Sequence, residues 1–390
     1  MKTIFFNTDS LIMGGAEKLA LQYVKELSKD YKVVLLINEN NGGGNVLEKE
    51  IPKNVEYKYI VNKYIIDNLN KYRNLKKKNK INIWYRIKYN YFLKKRRESF
   101  KKNIIEYIKS NDYDILIDFY CKLPLEIIDD RVISWLHLSL DGIKEKQKKI
   151  YSEKFEKVKN IVVINDDMKK EFAKYFPKNL NKVKRIYNLF DIKEIINKAI
   201  DIDSLTKKEK EIIKEKYILA CCRLDRQKDL ETLISAFSNL KREKNILEKL
   251  YIIGNGDRKE KLVKLVKKLK ISNEVLFLGT QKNPYIWMKN AELFVHSSHK
   301  EGFGMVIVEA MITNGLVLSS DCPVGPREIL ESGKSGVLVE PKNILEMEEK
   351  IIELLSNKKL REEKKRNALT RIEDFSLENN YKKIIEMIEN

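Results

Sequence analysis

Residues 293–310 read LFVHSSHKEGFGMVIVEA. Leu293–His296 is a short apolar run closed by polar residues, the pattern of a buried strand. Gly302-Phe303-Gly304 then supplies a turn, and Met305–Ala310 continues as a helix running through Glu309. The same strand–turn–helix unit recurs on both sides. Tyr217–Cys222, Leu250–Ile253, Val275–Leu278 and Leu316–Ser319 are strand-like, and Leu262, Val263, Leu265, Val266 and Leu269 mark a helix between two of them. The first half repeats the plan with Lys2–Asn7, Lys32–Ile37, Asp114–Asp118, Val132–Leu136 and Ile161–Ile164. A helix starts there at about Ala16, with Leu19, Tyr23, Val24 and Leu27 on one face. Strands alternating with helices predict parallel sheets covered on both faces, hence an α/β fold of two doubly wound domains. Their ligands bind beyond the carboxyl ends of the strands, so a cleft between the two is the expected site.

The predicted division is 1–190, a connection over 191–216, a second domain over 217–372, and a C-terminal helix over 373–390 crossing back to the first domain. At 390 residues, 43% apolar and 7 Pro, the chain is neither disordered nor collagen-like. No apolar stretch reaches the roughly 18 residues of a membrane span. The amino terminus turns polar by Asn7, too soon for a signal-peptide core. Cys121, Cys221, Cys222 and Cys322 show no metal-ligand spacing, and three His cannot make a His-rich site. A reducing cytoplasm is the expected compartment.

The formal net charge is +20, and it is uneven. Residues 1–190 hold 40 Lys/Arg against 24 Asp/Glu, and residues 71–102 hold 14 basic residues against Glu98 alone. Such a concentration points to an anionic surface, membrane or nucleic acid. No nucleic-acid-binding module motif accompanies it.

Four segments carry candidate chemistry. Asp9–Lys18 opens a helix through Gly14-Gly15, where small residues let backbone N–H groups approach an anion. It lacks the G-x-G-x-x-G dinucleotide pattern. Arg223-Leu224-Asp225-Arg226-Gln227-Lys228 follows a buried strand directly, and cations there suit a diphosphate. Gly254-Asn255-Gly256 allows a sharp turn or a close backbone approach. In the 293–310 segment, Glu301 and Glu309 are eight apart, with the helix start near Met305 and Val306 suited to a phosphate. Glu309 is expected about two turns further in, placed to accept two ribose hydroxyls.

Together the E-x7-E spacing, the Arg223/Lys228 pair and the Gly14-Gly15 loop resemble the retaining, nucleotide-sugar-dependent glycosyltransferases of family 4, of the type that builds bacterial capsule, lipopolysaccharide or lipid-linked oligosaccharide. The resemblance is densest from Tyr217 to Pro341, including Asp321-Cys322-Pro323-Val324-Gly325-Pro326-Arg327-Glu328-Ile329, and thinner in the first half, through Gly14-Gly15, His137 and Tyr187-Asn188. It implies a GT-B fold, two Rossmann-like domains facing across a cleft, working with no bound metal or other cofactor. It implies further that Arg223 and Lys228 hold the donor diphosphate and Glu309 its ribose. Glu301, with the backbone of Gly302, Phe303, Gly304, Met305 and Val306, would hold sugar and phosphate. Gly14, Gly15, Asn188 and Gly254 would complete the donor site, and His137 would touch the donor sugar. His296 and His299 read as a strand end and a loop residue. Two departures stand out: Ser297-Ser298 replaces the usual Pro-Ser, and Lys300 precedes Glu301.

The implied partners are a nucleotide-diphosphate sugar, with a UDP-linked hexose or N-acetylhexosamine favoured, and a glycan or lipid-linked acceptor. Retention is implied to proceed on the front face, the leaving phosphate taking the acceptor proton; double displacement through a carboxylate is the other route. A nucleotide-sugar epimerase of the same fold, and a non-catalytic basic membrane- or nucleic-acid-binding protein, are the rival readings. Within 71–102, Trp84, Ile87 and Tyr91 lie three and four apart, widened by Tyr85, Tyr89 and Phe92. A helix there presents an aromatic stripe beside cations, the pattern of an interfacial anchor on the inner face of the cell membrane.

Overall fold

A computed structural model describes residues 1–12, 14–79 and 81–390. The chain forms two compact units: Met1–Ile164 with Met168–Leu189 and Lys383–Asn390, and Asn165–Asp167 with Phe190–Lys382.

The first unit is built on β1 (Thr3–Thr8), β2 (Lys32–Glu39), β3 (Glu56–Val61), β4 (Ile115–Asp118), β5 (Val132–Leu136), β6 (Asn160–Val163) and β7 (Val183–Arg185). They pair in the order β3-β2-β1-β4-β5-β6-β7, every neighbour parallel. The second unit uses β8 (Tyr217–Cys221), β9 (Lys249–Ile253), β10 (Val275–Gly279), β11 (Leu293–His296), β12 (Val317–Ser320) and β13 (Val337–Val339). Their order is β10-β9-β8-β11-β12-β13, again all parallel. Both orders reverse direction once, between β1 and β4 and between β8 and β11. In doubly wound sheets that reversal opens a crevice beyond the strand ends.

The central strands are Val/Ile/Leu-rich because helices cover both faces. Tyr217 stacks on Tyr251 at 4.4 Å with Trp287 edge-on, all three buried. Tyr23, Phe119 and Trp135 make the equivalent aromatic cluster in the first unit. Periodicity missed β3, β7 and β13. Strand β3 (EYKYIV) is an edge whose first three residues are exposed, and the other two are three residues long, too short to show a period.

Residues 191–216 carry two helices, Ile192–Ala199 and Lys207–Ile212, and cluster with the second unit. Thr206 and Glu209 close a reciprocal capping box at the second helix. The last helix is Leu377–Glu389; its end lies with the first unit, where Lys2 and Tyr31 each reach Glu389 at 2.7 Å.

The basic segment is not one helix. It divides between Lys63–Lys78 and Ile83–Lys109, interrupted where the Asn82 side chain caps the second helix by accepting from the Tyr85 N–H. Lys80 lies outside the described residues. Phe92 does not widen the exposed stripe: it is buried between the two helices, stacked on Tyr72 at 5.7 Å with Tyr64 edge-on. Trp84, Ile87 and Tyr91 point the other way, each more than half exposed. Lys88 sits 4.8 Å over the Trp84 ring.

Candidate active site

Two loops meet at the reversal point of the second sheet. One leaves β8 as Cys222–Asp229; the other leaves β11 as Ser297–Gly304. Four hydrogen bonds stitch them together. His299 N–H donates to the Gln227 carbonyl (3.0 Å), the Ser297 hydroxyl to the Lys228 carbonyl (2.8 Å) and the Ser298 hydroxyl to the Gln227 carbonyl (3.1 Å). Gln227 Nε2 donates to the Lys300 carbonyl (2.5 Å). The serine pair noted as a departure thus serves to bind one loop to the other. A proline at 297 would supply no hydroxyl.

The stitching brings Lys228 against Glu301. Nζ lies 2.5 Å from Oε1, with side chains only 13% and 9% exposed, so this is a nearly dry ion pair. His296, at the end of β11, places Nε2 2.9 Å from the same Oε1 and is itself buried. Burial alone would raise the Glu301 carboxyl. The hydrogen bond and charge from His296, with Lys228, outweigh it and hold the group down, to about 2. Glu301 is therefore a carboxylate at any physiological pH.

Arg223 does not join this cluster. Its side chain is 74% exposed and reaches Asp225 at 3.1 Å. The intervening turn is the reason: Asp225 caps Arg226–Lys228, and Asp229 in a left-handed conformation turns the chain into the helix Leu230–Asn239.

The helix after Gly302-Phe303-Gly304 is Met305–Thr313. Gly304 has φ +100, a conformation that favours glycine, and it sets Met305 as the first helical residue. Glu309 consequently stands one turn from the helix start, about 6 Å along the axis, rather than two. It accepts a hydrogen bond from Tyr285 Oη at 3.2 Å; burial, then Glu309, raise the Tyr285 phenol. Phe303 cannot offer a side chain to a ligand. It is buried, facing Phe190 and Phe375, which leaves only its backbone for the role expected of it.

Gly254 makes the close backbone approach that the sequence allowed for. At φ +132, a Cβ there would lie 1.8 Å from the Cys222 carbonyl oxygen. The glycine lets the turn after β9 press against the loop after β8, where Leu224 N–H donates to the Asn255 carbonyl.

The remaining predicted residues belong to the first unit. Gly14 precedes the helix Gly15–Leu27, and a Cβ at Gly15 would meet nothing within 4 Å. Met13 of that loop lies outside the described residues. Asn188 is buried. His137 follows β5, packed 4.2 Å from the Phe119 ring, with Nε2 buried and no hydrogen-bond partner among the described residues. Burial drives its imidazole down, to about 3, against a weaker backbone hydrogen bond at Phe119. It is neutral near pH 7 and offers a hydrogen bond, not a charge.

His296 and Tyr285 were missed as site residues. His296 was legible only as a polar residue closing an apolar strand; its distance to Glu301 depends on the intervening loop folding back. Tyr285 had no local signal, because Glu309 is 24 residues away.

A family model described as glycosyl transferases group 1 matches residues 201–371. An uncharacterized glycosyltransferase of Methanocaldococcus jannaschii is 33% identical over 248 residues, 56% of this chain and 60% of that protein. The N-acetylgalactosamine-N,N'-diacetylbacillosaminyl-diphospho-undecaprenol 4-alpha-N-acetylgalactosaminyltransferase of Campylobacter jejuni is 36% identical over 184 residues, 47% of this chain and 49% of that protein. The chain thus spans about half the length of the curated relatives it matches. A crystal structure of Anabaena Alr3699/HepE in complex with UDP superposes over 100% of both chains with a TM-score of 0.74 at 18% identity. The fold is GT-B, two Rossmann-like units each on a parallel sheet.

Proposed function

We propose, from the premise that this chain belongs through residues 201–371 to the group 1 glycosyl transferases, that it moves a sugar from a nucleotide diphosphate to a hydroxyl acceptor in cell-envelope glycan synthesis, with retention at the anomeric carbon. The observation that carries this reading is the dry Lys228–Glu301 pair at the reversal point of the second sheet, one helix start away from Glu309.

Negative charge builds on the leaving β-phosphate as its bond to the sugar breaks. Lys228 and the positive end of the helix at Met305 and Val306 oppose that charge, the kind of preorganised stabilisation that dominates many enzymes. Arg223, exposed on the same loop, adds a second cation. Glu309 accepts the ribose hydroxyls, and Glu301 orients the donor sugar. The favoured carrier is UDP, which the Anabaena fold neighbour binds. A lipid-linked acceptor is favoured by the diphospho-undecaprenol in the Campylobacter relative's name.

The test is nucleotide release from a panel of UDP- and GDP-sugars, with and without an undecaprenyl-diphosphate-sugar acceptor. Acceptor-dependent release supports transfer; conversion of the sugar to its epimer without transfer overturns it. Because the charge on the phosphates is met by side-chain cations, we expect turnover to persist in EDTA. Complete loss, restored by Mg²⁺ or Mn²⁺, would refute metal independence.

A lipid-linked acceptor calls for a membrane surface, and the two basic helices fit one. No helix among the described residues is long and apolar enough to cross a bilayer. Ile83, Trp84, Ile87 and Tyr91 are exposed on the helix that also carries Lys88, Lys94, Lys95 and Arg97. Each such cation near an anionic leaflet contributes about 1 kcal/mol, so a handful supports reversible docking on the inner face of the membrane. We expect sedimentation with anionic but not neutral vesicles, weakened by salt. Reversing Lys94, Lys95 and Arg97 to Glu abolishes it. Arg96 is left intact because it is paired with Glu39 at 2.7 Å. Equal binding by the reversed protein would sink the docking surface.

A further inference from the structure

The reversal point of the first sheet carries an ion pair of its own. Lys122, on the turn after β4, meets Asp9, on the loop after β1. A partly exposed pair usually contributes little and holds no fixed geometry. Here both partners stand on buried polar supports. Asp9 Oδ1 accepts from Asn38 Nδ2 of β2 at 3.1 Å, and Asn38 Oδ1 accepts from Asn7 Nδ2 of β1 at 2.7 Å. Both amides are buried.

The support for Lys122 is a second, fully buried ion pair. Lys154, on the helix Glu145–Lys157, places Nζ 3.0 Å from Asp118 Oδ2 and donates to the Cys121 carbonyl at 3.0 Å. The two side chains are 2% and 0% exposed. Asp118, the last residue of β4, accepts from the backbone N–H groups of Lys122 (2.8 Å) and Leu123 (3.1 Å). Cys121 lies at φ +55, a conformation that a residue with a side chain adopts at a cost. Packed apolar residues in place of such a pair are often neutral or stabilising. What they cannot supply is this set of bonds to the backbone at Cys121, Lys122 and Leu123, which fixes the turn.

Tyr120 belongs to the same turn. Lys122 Nζ lies 5.1 Å from its ring centroid, and burial, then the charges of Glu17 and Asp9, raise its phenol, which keeps its proton. The cluster thus offers a carboxylate that accepts, an ammonium and a phenol that donate, and an aromatic ring. Lys122 is already balanced by Asp9, so a phosphate here would meet a carboxylate, whereas uncharged hydroxyls meet no repulsion. We infer that Lys154 is a positioning residue, which through Asp118 and the Cys121 carbonyl sets Lys122 and Tyr120 beside Asp9 to receive the hydroxyl groups of the acceptor's sugar. The inference rests on the sugar-transfer reading of this chain.

The experiment uses the full chain, the UDP-sugar that wild type turns over, and the undecaprenyl-diphosphate-sugar acceptor. Lys122→Ala, Lys154→Met and the two combined are compared by acceptor KM, by acceptor-free hydrolysis of the donor, and by the UDP dissociation constant. Melting curves fix a temperature at which all are folded. Should Lys154→Met not fold, Lys154→Met with Asp118→Asn replaces it, since no buried charge is then left unpaired. The expected result is an acceptor KM raised about 10- to 100-fold in each single variant, the usual worth of a hydrogen bond to a charged group. Hydrolysis and UDP affinity stay at the wild-type level. The combined variant loses less than the product of the two single losses, because Lys154 acts through Lys122. An unchanged acceptor KM in either single variant overturns the inference, as does full additivity or a parallel loss of UDP affinity. If wild type binds UDP but shows no acceptor-dependent release, the sugar-transfer reading itself fails, and this inference with it.

Discussion

Replacing Lys228 with alanine lowers turnover by about 10²–10³ while the enzyme stays folded. That is the usual loss when one preorganised donor to a developing oxyanion is removed. The position of Lys228 makes the effect more than a generic charge loss. Its ammonium is nearly dry, so no water stands ready to replace it at the phosphate. Removing it also leaves Glu301 charged in a buried site, a change that typically costs about 3–5 kcal/mol when a buried pair is broken. His296 remains hydrogen-bonded to Glu301 and offsets part of that loss. The measurement therefore pairs initial rates of UDP release with a melting curve, and rates are compared well below the lower midpoint. The exposed Arg223 gives the contrast: Arg223→Ala is expected to cost less than Lys228→Ala, because a 74% exposed guanidinium acts through solvent. A folded Lys228→Ala enzyme with unchanged turnover would remove the phosphate role altogether.

The second large effect falls on stability. Gly254→Ala places a methyl group 1.8 Å from a backbone oxygen at a φ of +132, so the neighbour cannot step aside and the new residue is strained. Strain of that kind costs of order 1–3 kcal/mol before the clash is counted. A total of about 3 kcal/mol lowers the melting midpoint of a unit this size by roughly 6–12 °C. Gly15→Ala is the control, since its Cβ would enter open space and alanine favours the helix it begins. Equal midpoints for the two variants would show that the turn after β9 does not brace the Lys228 loop. The distinction matters for function. Resemblance suggested Gly254 as a donor contact, and its geometry also makes it a support for the loop that presents Lys228. Its substitution should shift the melt first.

Much of the fold was legible because its signals are local. An apolar run of four to six residues followed by a helical period is a βα unit wherever it occurs, and ten of the thirteen strands among the described residues announced themselves that way. The Gly302-Phe303-Gly304 turn marked the helix start, since a left-handed residue before a helix favours glycine. The concentration of charge over 71–102 could be read by counting. The three short or edge strands could not, because an edge strand is half solvated and three residues show no period. Nor could the split of that basic segment into two helices, or the turning of Phe92 away from Trp84, Ile87 and Tyr91; one helical period describes all four equally well.

What the sequence determined, then, is which residues form each element and which side chains stand at each strand's carboxyl end. Lys228 after β8 and Glu301 after β11 were both in view, but 73 residues apart. Only the tertiary structure makes them neighbours, because β11 crosses back to pair with β8 rather than with β10. Strand order is set by how crossover helices pack on the sheet, and no local periodicity records it. The same crossover, with the loop folding back through Ser297 and Ser298, carries His296 onto Glu301 and places Arg223 outside. Residue types supplied the cations and carboxylates; burial and strand order decided which of them form one dry cluster.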